Sequence, residues 1–482
     1  MAAIFEGDEL YKLFDYQQKM VDEARISLAR GHNGVLIVSP PGSGKSVVIA
    51  EIARLVTRNK NGHVLFFVHR QELVKQIKQS FEEQNVDLNK CTIMTVGKVK
   101  NRLKSLPAPT LIICDESQHA KAKTYMTIFN YYASVPRLGF SGSPWRMSGE
   151  GFDDIYSALV EGPSVQWLID HHKLAPAKYY SVNLYDKNKL KKSSNGDYSQ
   201  KSMDLAAENN LYGDILNTWK KIASDRQTII YAHSTQHSQQ IANIFQQDGI
   251  NAKHCDFKTP KSERDRIVND FRNGELQVLC NYGLFDEGYN VKECSCVVIA
   301  RPTTSLVFDL QATMRCMRYL PNKEAIIIDH AANYLRFGFP QDDRDWSLTS
   351  RKRQVNSGDD EQIYVCDECL GVFRNWTSDD KCPYCGAAKP LRLIKQEQDK
   401  QKIIEAEIVE IQRSKKNERY AKNLLECMQI IKAKGKSKYP LPYALHVMKA
   451  NGITVSKNDL NAVVKEYGYS WGYVYRIMKG SK

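Results

Sequence analysis

"NGVLIVSPPGSGKSVVIAEIARLVTR" occupies residues 33–58. It opens with a short aliphatic run and closes with apolar residues at helical spacing; prolines, glycines and serines lie between. A strand that feeds a helix through such a turn is the repeating unit of a parallel α/β sheet. The turn itself, "SPPGSGKS", runs from Ser39 to Ser46. In that context Pro41, Gly42, Ser43 and Gly44 form a phosphate-binding loop: the glycines let backbone N–H groups point inward, and the helix N-terminus favours an anion. Lys45 is then placed against the β- and γ-phosphates of ATP, and Ser46 against Mg²⁺. The strict pattern opens with glycine, where this chain has Ser39.

Outward from this loop the same alternation continues. "GHVLFFVH", "LIICDE" and "RLGFSGSP" read as further strands, with helical segments such as "QELVKQIKQSFEEQ" between them. A second stretch carries "QTIIYAHS", "LQVLCNYG", "CSCVVIARP" and "EAIIIDHA", with helices such as "HSQQIANIFQQDG" between. The polar segment "NLYDKNKLKKSSNGDYSQKS" separates the halves and reads as a linker or insertion. "LIICDE" ends in two adjacent carboxylates. At the edge of a strand beside a phosphate loop, Asp115 is placed to hold the metal and Glu116 to take a proton from attacking water.

The chain has 482 residues, enough for about three or four domains. No apolar run is long enough for a membrane span, and the acidic N-terminus lacks the features of a signal peptide. A cytoplasmic protein is therefore expected, in the bacterial host cytoplasm if phage-encoded. The net charge of +13 is uneven: from Ala387 onward there are 20 Lys and Arg against 9 Asp and Glu. The basic character belongs to the tail and suits a polyanion.

Several short segments together resemble superfamily 2 helicases and translocases, over residues 10–345. "LFDYQQ" resembles the segment whose glutamine, here Gln17, reads adenine. Ser39–Ser46 matches motif I. "VLFFVHRQELVKQ" resembles motif Ia, and "CDESQH" matches the DExH motif II. "LGFSGSPWR" resembles motif III, with Ser141, Gly142, Ser143, Pro144 and Arg146. "TIIYAHS" resembles motif IV, and "LCNYGLFDEGYNV" resembles motif V, with Glu287 and Gly288. "QATMRCMR" matches motif VI, with Gln311, Arg315 and Arg318 in register. The resemblance implies two RecA-like lobes with ATP and Mg²⁺ in the cleft between them. Arg315 and Arg318, three apart on an expected helix, would face the γ-phosphate from the second lobe.

This chain departs from the family pattern in three places: Gln118 where motif II often has His or Asp, Met314 in place of the motif VI glycine, and Asn290 where motif V often has Asp. Gln118 keeps hydrogen-bonding capacity toward motif III or VI but cannot titrate. "EGYN" and "RPTTS" resemble the restriction-type and DNA-repair branch more than the DEAD-box RNA branch, which favours DNA over RNA as partner.

Near the C-terminus, "CDECLGVFRNWTSDDKCPYCG" holds Cys366, Cys369, Cys382 and Cys385 in two CxxC knuckles. Four thiolates at this spacing suit one tetrahedral Zn²⁺ in a zinc ribbon. Arg374, Trp376 and Tyr384 serve either nucleic-acid contact or a very small core. The expected organisation is lobe 1 at 1–165, a linker at 166–205, lobe 2 at 206–345, the ribbon at 361–390 and a basic, mainly helical nucleic-acid-binding region at 391–482. The function this implies is an ATP-dependent helicase or translocase, phage or bacterial, with replication or repair proteins as partners. A restriction-type motor subunit and an ATP-gated DNA clamp fit the same motifs; no PD…ExK nuclease pair stands out.

Overall fold

The computed structural model describes residues 12–146, 148–193, 196–207, 211–285, 291–350, 362–394, 423–433, 440–450 and 453–480. Two parallel sheets of six strands organise the chain up to Ala387.

The first sheet comprises β1 (Gly34–Val38), β2 (Val64–Val68), β3 (Cys91–Thr95), β4 (Leu111–Cys114), β5 (Arg137–Ser141) and β6 (Ala158–Glu161). Their order is β3-β2-β4-β5-β1-β6, and every pairing is parallel. Successive side chains point to opposite faces, so each strand feeds two cores. Val35, Ile37, Phe66, Ile113 and Phe140 pack with helices α1 (Asp15–Ala29), α2 (Lys45–Thr57) and α3 (Gln71–Glu83). Leu36, Val38, Leu65, Phe67 and Ile112 pack against α4 (Val96–Arg102) and α5 (Lys123–Tyr131). Covering both faces is what turns these strands into unbroken apolar runs in the sequence.

After α6 (Val165–Asp170) comes β7 (Ala177–Ser181), then α7 (Gln200–Ala206), α8 (Leu211–Ala223), β8 (Thr228–Ala232), α9 (Thr235–Gln247), β9 (Ala252–Asp256) and α10 (Lys261–Arg272). They are followed by β10 (Val278–Tyr282), β11 (Cys296–Ala300), α11 (Leu306–Thr313), β12 (Ala325–Asp329) and α12 (Tyr334–Phe337). The second sheet has the order β7-β12-β11-β8-β10-β9, again parallel throughout. Residues 166–205 are therefore not simply a linker. Their strand β7 is an edge of the second sheet, paired residue by residue with β12 from Ala177↔Ala325 to Ser181↔Asp329. Its sequence, "AKYYS", has only two fully buried positions and so lacks the apolar run of a central strand.

The cysteine segment forms a hairpin, β13 (Tyr364–Val365) and β14 (Val372–Phe373), docked beside β7. Ser181 N donates to Leu370 O at 3.0 Å, Tyr180 bridges Gly371, and Lys221 Nζ donates to Glu368 O at 2.7 Å. Trp376 and Tyr384 belong to the hairpin's own small core, and Arg374 pairs with Asp342. These three side chains hold the ribbon together and seat it on lobe 2.

The remainder, Ala388–Lys482, is a separate compact unit. Its described helices are α13 (Leu424–Ala433), α14 (Pro440–Ala450), α15 (Lys457–Tyr467) and α16 (Trp471–Gly480). They share a core of Leu424, Met428, Leu441, Met448, Val463 and Val474. Among the described residues, no helix is long and apolar enough to cross a membrane. None of the twelve cysteines is in a disulfide.

Candidate active site in the inter-lobe cleft

The phosphate loop joins β1 to α2. Gly44 sits at the helix N-cap with φ +82°, a left-handed conformation that favours glycine. Lys45 and Ser46 open α2, with Ser46 exposed. Lys45 Nζ donates to Ser39 O at 3.0 Å and Pro40 O at 3.4 Å, holding the ammonium across the loop. Ser39 Oγ donates to Ser43 Oγ at 2.6 Å, so the serine that replaces glycine braces the loop from within. Tyr16 Oη and Gln17 Nε2 both donate to Ser43 O, at 2.9 and 3.4 Å. Gln17 Oε1 accepts from Phe14 N at 3.0 Å. The Gln17 amide, expected to face adenine, is thus directed at the loop and the start of α1.

Asp115 and Glu116 follow β4. Asp115 Oδ1 accepts from Glu116 N at 2.9 Å. Glu116 has φ +52°, a left-handed backbone that costs a side-chain-bearing residue roughly 1–3 kcal/mol. Its carboxylate is gripped from two sides. Gln118 Nε2 donates to Glu116 Oε2 at 2.8 Å, and Gln311 Nε2 from lobe 2 donates to the same oxygen at 3.1 Å. Gln118 Oε1 in turn accepts from Ser141 Oγ at 3.0 Å. Gln118 therefore links motif II to motif III through a neutral amide with fixed donor and acceptor ends. The motif VI contact to Glu116 comes from Gln311.

The two arginines lie beyond α11, which ends at Thr313, and not on a helix. The chain there tightens into turns closed by Arg315 N to Ala312 O and Met317 N to Met314 O, and Arg318 bridges Leu174. The arginines nevertheless reach the cleft. A Cβ on Gly42 would lie 3.1 Å from Arg318 Nη1, so lobe 2 rests directly on the phosphate loop. Arg315 is buried and donates to Phe285 O at 3.1 Å. Burial pushes Arg318 down to about 10, with Arg315 adding to the shift; the group stays charged at neutral pH. Burial also lowers Lys45, opposed by Glu116 and Asp115 and assisted by Arg318 and Arg315. Three cations and two carboxylates thus converge at the loop, a balance suited to a polyphosphate.

Two contacts carry no recognisable pattern in the sequence. Tyr16, directly before Gln17, is stacked on Phe14. Arg70, in motif Ia, donates across the cleft to Leu284 O at 2.5 Å and Gly283 O at 3.1 Å. Glu287 and Gly288, and with them Asn290, lie outside the described residues.

In the ribbon, the four Sγ atoms lie within 4.8 Å of one another, and the Cys366–Cys385 and Cys369–Cys382 pairs are each at 3.8 Å. A tetrahedron with Zn–S bonds of about 2.3 Å has an edge of about 3.8 Å, so the cluster has the right dimensions for zinc.

The family described as Type III restriction enzyme, res subunit, matches residues 10–146; the Helicase conserved C-terminal domain matches residues 209–320. A 51.5 kDa protein of Lactococcus phage (isolate 7-9) is 48% identical over 352 residues, 73% of this chain and 77% of that protein. The DNA 3'-5' translocase XPB2 of Sulfurisphaera tokodaii is 26% identical over 376 residues, 66% of this chain and 81% of that protein. Two yeast relatives are about twice as long as the part matched, with 50% and 52% of their length covered. The ATP-dependent Type ISP restriction-modification enzyme LlaBIII, solved bound to DNA, shares the fold with a TM-score of 0.51 and 14% identity. That match covers 67% of this chain and 28% of LlaBIII. With both domains in tandem around one shared cleft, the chain belongs to the superfamily 2 helicases, ATP-hydrolysing motors built from two RecA-like lobes.

Proposed function

We propose that the protein is a DNA-dependent ATPase that moves along or unwinds DNA by opening and closing its two lobes. The observation that carries this is the double grip on Glu116, by Gln118 within lobe 1 and Gln311 from lobe 2. A general base held from both lobes is correctly aimed only while they are closed. Lys45 and the loop N–H groups bind the β- and γ-phosphates. Ser46 and Asp115 hold Mg²⁺, which screens the phosphate charge when bound. Glu116 accepts the proton of the attacking water, and Arg315 and Arg318 stabilise charge on the transferred phosphoryl group. Once the cleaved phosphate departs, the arginines lose their anionic partner and the lobes are released.

Cys366, Cys369, Cys382 and Cys385 hold Zn²⁺, which ties the hairpin together. Its role is structural, because its aromatic residues pack inward and its edge packs on lobe 2. DNA is favoured over RNA on two grounds: the restriction-enzyme family match and the DNA translocase relative. The phage relative supports action in a bacterial host cytoplasm.

The decisive experiment measures ATP hydrolysis in parallel with single-stranded DNA, duplex DNA, forked DNA and RNA. DNA should stimulate turnover. Lys45→Ala and Glu116→Gln should abolish it, with a fall of about 10²–10⁴-fold for loss of the base. No hydrolysis with any nucleic acid would overturn the enzyme reading. A second reading, a restriction-type motor subunit, is favoured by the match of residues 10–146 to a restriction res subunit. A nuclease that co-purifies with the chain would select it.

A further inference from the structure

The last described residues, 453–480, fold as two helices joined by a tight turn. α15 opens with a capping box between Ser456 and Asp459 and ends at Gly468, whose φ of +67° suits glycine. Only Gly468, Tyr469 and Ser470 separate it from α16. Ser470 Oγ accepts from Tyr473 N at 3.3 Å, so the second helix begins at once. The turn is clamped by its own rings. Tyr467 and Tyr469 stack at 6.0 Å, Tyr469 and Tyr473 lie 5.3 Å apart, and Lys432 Nζ sits 5.3 Å from the Tyr467 ring. Val474 anchors α16 in the core shared with Val463 and α13.

One flank of α16, beside the face that carries Val474, is uncovered. Trp471, Tyr475 and Met478 are 39%, 66% and 39% exposed, and their spacing of four and three residues puts them in one row. Arg476 is exposed beside that row, and α16 contains no Asp or Glu. Lys449, Lys457 and Lys465 are exposed on the neighbouring helices. An aromatic row on a helix that carries Arg476 and no carboxylate, in a strongly basic tail, has the complementarity of a nucleic acid. A helix about 10–12 Å across fits the major groove of B-form DNA, about 12 Å wide, where arginine reads guanine and apolar side chains meet the thymine methyl group. The second helix of a short-turn pair is the one that enters the groove in DNA-binding proteins. The major groove of duplex RNA is too deep and narrow for it.

We infer that α16 is the groove-reading helix of a helix–turn–helix, giving the motor a duplex-DNA site apart from the strand its lobes act on. The inference rests on the DNA reading above, and it is tested separately from it. Binding of the nucleotide-free full-length chain to a blunt hairpin duplex of DNA, and to the same duplex in RNA, is measured across salt. Tyr475→Ala combined with Arg476→Ala should weaken DNA-duplex binding about tenfold and reduce the salt slope by about one. RNA-duplex binding and ATP hydrolysis stimulated by single-stranded DNA should stay as in the parent. Unchanged DNA-duplex affinity in the variant overturns the inference, as does equal loss on DNA and RNA. A measurement on the parent chain needs no substitution: methylation of guanine N7, in the major groove, should interfere with duplex binding. Absence of that interference places the contact outside the groove and overturns the inference. Loss of ATPase activity in the parent would instead strike the motor reading.

Discussion

The two lobes share a six-stranded parallel sheet covered on both faces, yet they equip the cleft differently. In lobe 1, six residues separate β1 from α2, enough for a loop that cradles phosphate. In lobe 2, only His233 and Ser234 separate β8 from α9, and Ser234 Oγ is spent capping the helix by accepting from His237 N. No phosphate loop fits there. The histidines around that junction are buried and driven toward neutrality: His237 well below its ordinary range, His330 down to about 4. In the proposed mechanism lobe 1 binds and activates, while lobe 2 contributes Gln311, Arg315 and Arg318. Duplicating a fold does not duplicate a site; one composite site between unequal lobes would make hydrolysis depend on their closure.

The strongest way to break this division is to remove the arginines. Arg315→Ala or Arg318→Ala should lower turnover about 10³–10⁵-fold while ATP binding, measured with a fluorescent analogue, stays near the parent. If binding falls as far as turnover, lobe 2 is a binding element and the contrast fails. A smaller effect is expected at the junction inside lobe 1. Gln118→Ala removes the donor to Glu116 and the acceptor for Ser141 Oγ, and should cost about tenfold in turnover under saturating DNA. Gln118→His should retain more activity than Gln118→Ala, with a new dependence on pH between about 6 and 7.

Beyond the cleft, Cys366→Ser or strong chelation should remove the brace on β7 and lower the melting temperature by several degrees. Hydrogen exchange should place the first opening at β7 and β12, and protection lost instead in β1–β5 would contradict the docking. The mildest effect concerns acid. His330 takes up its proton near pH 4 in the native chain but near 6.5 when unfolded, so the unfolded state binds more protons between those values. Stability should therefore fall as pH drops through that window. Lobe 2, which carries the buried histidines, should open before lobe 1; hydrogen exchange at pH 7 and pH 5 would check this.

Legibility in the sequence followed burial. The central strands β1, β2, β4, β8, β11 and β12 are buried along their whole length and stand out as apolar runs. The edge strands β3, β6, β7 and β9 do not stand out, because each lies at the margin of its sheet and mixes polar with apolar residues. For that reason β7 reads as linker. The helix expected under Arg315 and Arg318 ends sooner, since the chain must turn to bring both side chains to the loop.

Local order alone determined the phosphate loop, the Asp115–Glu116 pair and the four-cysteine cluster, because each is made by residues close in the chain whose spacing is their geometry. The tertiary structure decided what holds Glu116 from the second lobe, that Arg318 rests on Gly42, that the ribbon rests on β7, and which row of α16 stays bare. Those contacts join residues remote in sequence, and packing of the two sheets and of the helical tail selects them, with no local signal to announce them.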